Sequence, residues 1–91
     1  MTPDNILGRA PNAVFEVVAG ETMLIDLNTG AYFSLNKVGT EFWQRLDGRQ
    51  TLTEHAAALA AAYDVGLERV VNDLVRLADK LAAENLVISQ G

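Results

Sequence analysis

Few residues in this chain are of a type and spacing that could do chemistry. The single histidine, His55, follows Glu54 early in an alanine-rich run. One imidazole with one carboxylate is too small a set for a nucleophile–base pair or a metal site, so His55 reads as a solvated helical residue. Ser34 and Ser89 are the only serines, and neither stands in a nucleophile-elbow pattern. Cysteine is absent, which removes disulfides, thiolate metal sites and cysteine nucleophiles. The glycines match neither GxGxxG nor phosphate-loop spacing. Acidic pairs such as Asp73 with Glu84, or Asp26 with Glu21, read as surface charge rather than a general acid and base. Metal, cofactor and catalysis are therefore not expected.

Binding is what remains. Ninety-one residues amount to one domain, with 49% hydrophobic and 21% charged residues, as in a globular protein. A net charge of −5 opposes nucleic acid unless the cations cluster. With no secretory signal and no apolar run of about 18 residues, the chain is expected to be soluble and cytoplasmic, with no membrane partner.

The elements follow from periodicity. Residues 1–12, with Pro3, Gly8 and Pro11, read as a flexible arm, and 13–91 as the domain. Strands are expected at Ala13–Val18, Glu21–Leu27 and Ala31–Leu35, joined by turns at Ala19-Gly20 and Asn28-Thr29-Gly30. This three-stranded meander leaves two open edges. A helical pattern takes over at Lys37–Leu46, capped by Asn36. Thr51 and Glu54 suit a capping box for a second helix to about Tyr63, with Leu52, Ala56, Leu59 and Tyr63 as its buried stripe. A third helix runs from about Leu67 to Glu84 on a stripe of Leu67, Val71, Leu74, Ala78 and Leu81. Asn85 suits the left-handed position that ends it. The tail Leu86–Ser89 is a short strand candidate that could pair back on the sheet. Strands followed by helices give an α+β fold, and the arrangement suggests a winged helix-turn-helix with its wing on the N-terminal side.

Two features of this scheme could bind. Arg69, Arg76 and Lys80 fall on one line of the third helix, as a DNA-binding regulator would need. However, Glu68, Asp73, Asp79 and Glu84 flank them, and that helix sums to −1. The alternative is a groove. Val70 and Leu77 broaden the apolar arc of the third helix beyond its central stripe. An open strand edge beside such a helix is the geometry of strand addition, with Tyr32 and Phe33 as aromatic anchors. A second copy of the chain could use the same edge, giving a homodimer.

Three segments carry a resemblance: MLIDLNTGAYFSLNKVGTEFW, LDGRQTLTEHAAALAAAYDV and VVNDLVRLADKLAAENLV. They resemble the PqqD family of peptide chaperones from pyrroloquinoline quinone biosynthesis. They are equally similar to the leader-peptide recognition domains of ribosomally made, modified peptides. The most specific part is the third strand running into Leu35-Asn36, then Gly39, an aromatic residue and Leu46-Asp47-Gly48. The resemblance implies a winged helix-turn-helix that binds a precursor's leader peptide without catalysis and presents the rest to a separate leader peptidase or radical enzyme. Carried over by position, Ala31, Tyr32, Phe33, Ser34 and Leu35 form the strand wall. Val70, Asp73, Leu74, Arg76, Leu77 and Lys80 form the helix wall. Asn85 stands where the family often has glycine. The aromatic pair in AYFSLN looks more like the stand-alone binders of lasso-peptide clusters.

Overall fold

In the computed structural model, which describes residues 1–90, eight elements follow in order: β1 (Leu7–Arg9), β2 (Ala13–Val18), β3 (Glu21–Asp26), β4 (Tyr32–Leu35), α1 (Lys37–Arg45), α2 (Leu52–Tyr63), α3 (Leu67–Ala83) and β5 (Val87–Ser89). β2, β3 and β4 form the expected antiparallel meander, in that spatial order. A two-residue turn joins β2 to β3, with Ala19 and Gly20 both at positive φ, which suits the right-handed twist of the strands. The turn after β3 is organised by the buried Asp26. Its carboxylate accepts from the Asn28 amide at 2.9 Å, the Thr29 hydroxyl at 3.1 Å and the Asn12 side-chain amide at 3.0 Å. These bonds, led by the Asn28 amide, hold its pKa below the ordinary carboxylate range.

Thr22, Leu24 and Asp26 face inward and carry the sheet onto the helices. The contact is partly polar, because the buried Thr22 and Thr40 hydroxyls hydrogen-bond at 2.7 Å. Phe42, Trp43, Leu52, Leu59, Leu74, Ala78 and Leu86 fill the space between the sheet and the three helices. Helix ends follow their chemistry. Asn36 caps α1 by accepting from the Gly39 amide at 2.8 Å. Thr51 and Glu54 form the reciprocal capping box at 3.1 and 2.9 Å. At the end of α3, Asn85 takes φ 58° and the Leu86 amide donates back to Leu81, the six-to-one bond of a Schellman turn.

Several expectations need correction. The stretch read as a flexible arm contains β1, which pairs antiparallel with β5, and Leu7 is fully buried. The tail strand therefore pairs with the N-terminal segment in a sheet of its own, not with the meander. Arg9 locks this clasp to the body. Its Nε and Nη2 donate to the Trp43 carbonyl at 3.1 and 2.8 Å, closing the end of α1, and its guanidinium stacks 4.9 Å from the Phe15 ring centre and 5.4 Å from that of Trp43. His55 is not solvated. It is fully buried, edge-on to Phe42 at 5.8 Å, and among the described residues neither ring nitrogen has a hydrogen-bond partner. Burial pushes its pKa below the ordinary histidine value, against the pull of Asp47. α3 is also rotated from the expected stripe. Val70 is buried with Leu74, Ala78 and Leu81, while Leu67 is exposed.

Candidate functional site

Edge geometry can be read from the register. The Asp26 amide donates to the Ala31 carbonyl at 3.0 Å, so bonded and non-bonded pairs alternate from there along β3 and β4. Phe33 and Leu35 spend their backbone groups on β3. Tyr32 and Ser34 turn their N–H and C=O outward. Among the described residues no strand lies on that side. This edge is therefore a two-residue repeat of unfilled donors and acceptors, the pattern onto which an extended peptide can add a strand.

α3 runs past this edge and leaves a cleft of about 330 Å³ between them. Ser34 and Leu35 form one wall, and Asp73, Leu74 and Leu77 the other. The floor comes from the start of α1, namely Asn36, Val38 and Gly39. At Gly39 a Cβ would meet the Leu35 Cβ at 3.2 Å, so glycine lets the first turn of α1 approach the end of β4 without displacing Leu35. A second hollow of about 250 Å³ adjoins the first, shares Val38, Asp73 and Leu74 with it, and extends toward Leu59, Tyr63, Val65 and Val70. The combined trough is apolar at its base. Asp73 stands exposed on its rim and Arg69 at its far end.

The eleven sequence-derived positions fall into groups. Ser34, Leu35, Asp73, Leu74 and Leu77 come together in the cleft. Val70 lines the adjoining hollow. Tyr32 lies further along β4 with its side chain 68% exposed on the outer sheet face, opposite Ile25. Phe33 faces inward and packs against the core, and Ala31 precedes the strand. Arg76 lies with Arg69, Asn72 and Asp73 around a shallow polar depression, outside the cleft. Lys80 is exposed and lines neither hollow. The residues missed were Asn36, Val38 and Gly39 in the floor, and Leu59, Tyr63, Val65 and Arg69 in the adjoining hollow. The Leu35-Asn36 to Gly39 segment was recognisable as a specific run, but its spacing does not say that it forms a floor.

Residues 21–87 match the family described as Coenzyme PQQ synthesis protein D (PqqD). The chain belongs to the PqqD family. The match starts at β3 and ends at β5, so it spans the sheet edge, all three helices and both walls of the cleft. Among solved structures, the chain is similar to TbiB1 in complex with the TbiA(beta) leader peptide, at 30% identity and a TM-score of 0.80, over 88% of this chain and 93% of that one. A comparison with curated proteins finds no match. No helix among the described residues is long and apolar enough to cross a membrane.

Proposed function

We propose that this PqqD-family chain is a non-catalytic binder of a precursor's leader peptide. The leader adds a strand to β4 and lies against α3. The observation that carries this reading is the pairing of two unlike surfaces across one cleft. Tyr32 and Ser34 offer backbone hydrogen bonds at a spacing that any extended peptide matches. Leu74, Leu77, Val38 and Leu35 offer apolar contacts that only some side chains fill. The first supplies affinity and the second sets register and choice of peptide. Asp73 on the rim favours a leader with a cation at that point. Both the family membership and the likeness to a protein held with a leader peptide support the reading.

In this role the domain holds the leader while a separate enzyme, a leader peptidase or a radical enzyme, acts on the remainder. The lasso-peptide pathway is our preferred setting, from the AYFSLN segment and the TbiB1 likeness. DNA binding is disfavoured because Arg69 and Arg76 share their surface with Asp73 and Glu68. The test is calorimetry with the leader segment of any short precursor found in a neighbouring reading frame. Saturable binding is expected, weakened at least about tenfold by Leu77→Glu, which buries a carboxylate in the apolar wall. Equal heats from the wild type and the Leu77→Glu variant would refute the reading.

A further inference from the structure

The sheet has a second open edge, on the side away from the cleft. Among the described residues no strand pairs with the outer side of β2. The Leu27 amide donates to the Asn12 carbonyl at 2.9 Å, so the alternation along β2 is fixed. Val14, Glu16 and Val18 bond to β3, whereas Phe15 and Val17 turn their N–H and C=O outward. Open edges are normally blunted by proline, a bulge or lysine. β2 has no proline, bulge or lysine, only the charge of Glu16, and its side chains are part-exposed on both faces: Val14 is 40% exposed, Phe15 40% beside the Arg9 stack on its ring, Val17 37% and Val18 63%. One charge, Glu16, stands at the centre of these four apolar residues.

That arrangement is nearly self-complementary, and Glu16 spoils it. A second copy pairing antiparallel about Glu16 would satisfy all the outward groups, Phe15 bonding to Val17 in both directions. It would also set the two Glu16 side chains opposite each other in a non-bonded pair, with Cα atoms about 4.5 Å apart. The neighbouring registers fail for other reasons. Centring on Phe15 calls on the Ala13 N–H, which already donates to the Ala10 carbonyl at 3.1 Å. Centring on Val17 brings Phe15 against Ala19, inside the turn at φ 54°. Among the described residues no ion pair reaches Glu16, and the hollow beside it holds Glu21 as its other charged residue.

We propose that β2 is a docking edge for a strand of a different protein, apolar on both sides of a central lysine or arginine that pairs with Glu16. Assigning that strand to the enzyme that acts on the held peptide rests on the function proposed above; the edge itself does not. The two edges of one sheet would then serve two partners, the leader on β4 and a protein on β2.

The Glu16→Lys variant of this chain is the probe, because its own β2 carries the required strand. Unlabelled Glu16→Lys is titrated into the 15N-labelled wild type and followed by NMR. Saturable shifts are expected at the Phe15 and Val17 amides, with Tyr32 and Ser34 unmoved. Binding should be about tenfold or more tighter than with unlabelled wild type, and weaker at raised salt. The Glu16→Lys/Val17→Pro double variant should give no shift, because proline removes an outward N–H and leaves the pairing to β3 intact. The proposal is overturned if Phe15 and Val17 stay still at millimolar probe, or if wild type shifts them equally, or if they shift with no salt dependence. A leader peptide that shifts Tyr32 and Ser34 in the same sample reports on the other edge separately.

Discussion

Replacing Ser34 with proline should separate peptide capture from folding. The Ser34 N–H points away from β3, so the substitution removes no bond from the β3–β4 ladder. Proline is tolerated at such edge positions, and it leaves Phe33 in the extended region it already occupies. The fold should therefore lose no more than about 0.5 kcal/mol, the usual range for an exposed site. Binding loses more. A leader carbonyl that would accept from Ser34 is left facing a pyrrolidine ring, at a cost of about 1–3 kcal/mol. That is roughly a 5- to 150-fold rise in Kd. Phe33→Pro is the control. Its N–H is spent on Leu24 in the ladder, so this variant should lose about 3 kcal/mol of stability. Urea melts and calorimetry with the leader peptide read both quantities. A folded Ser34→Pro chain with wild-type affinity would refute strand addition at β4. Equal destabilisation by the two prolines would refute the assigned register.

Three further outcomes can be checked. His55 is buried with a lowered pKa, so between its ordinary value of about 6.5 and its lower folded value the unfolded chain holds the extra proton. Its contribution is complete above pH 6.5 and is lost as pH falls, so the urea midpoint should drop from pH 7.5 to 5.5, and His55→Leu should flatten that slope. Arg9→Ala removes the cap on Trp43 and Gln44 and the stack on Phe15, and should cost about 1–2 kcal/mol in urea unfolding; Arg9→Lys should recover little, since lysine cannot reproduce the forked contact. Asn85→Gly relieves the left-handed backbone at φ 58° and should add about 0.5–1 kcal/mol, seen as a few degrees in Tm.

Local chemistry made much of this fold legible. The turns at Ala19-Gly20 and Gly30, the Asn36 cap, the Thr51–Glu54 box and the Asn85 terminator each act within a few residues, and each stands where its chemistry placed it. β1 was not legible because three residues containing a glycine hold no periodicity, and their partner lies at the other end of the chain. His55 was masked by residue type. Leu52, His55, Ala56 and Leu59 are spaced as one helical face, but a polar side chain in that set reads as solvent-facing. Val70 shows the same limit on α3, where the apolar arc was broad enough for two phases and only packing selected one. In the cleft, the strand edge and the Leu74–Leu77 wall followed from periodicity and resemblance. The floor did not, because it depends on how closely α1 approaches β4 through Gly39.

The clasp between β1 and β5 sets a condition on when this protein can finish folding. β1, which carries the buried Leu7, has β5 as its partner strand, so this pairing waits until both have been made. The meander and helices bring together residues nearer in sequence and can collapse while synthesis continues. The clasp closes only once β5 has been made. A chain cut short before Val87 would keep both walls of the cleft, yet leave β1 without its partner strand.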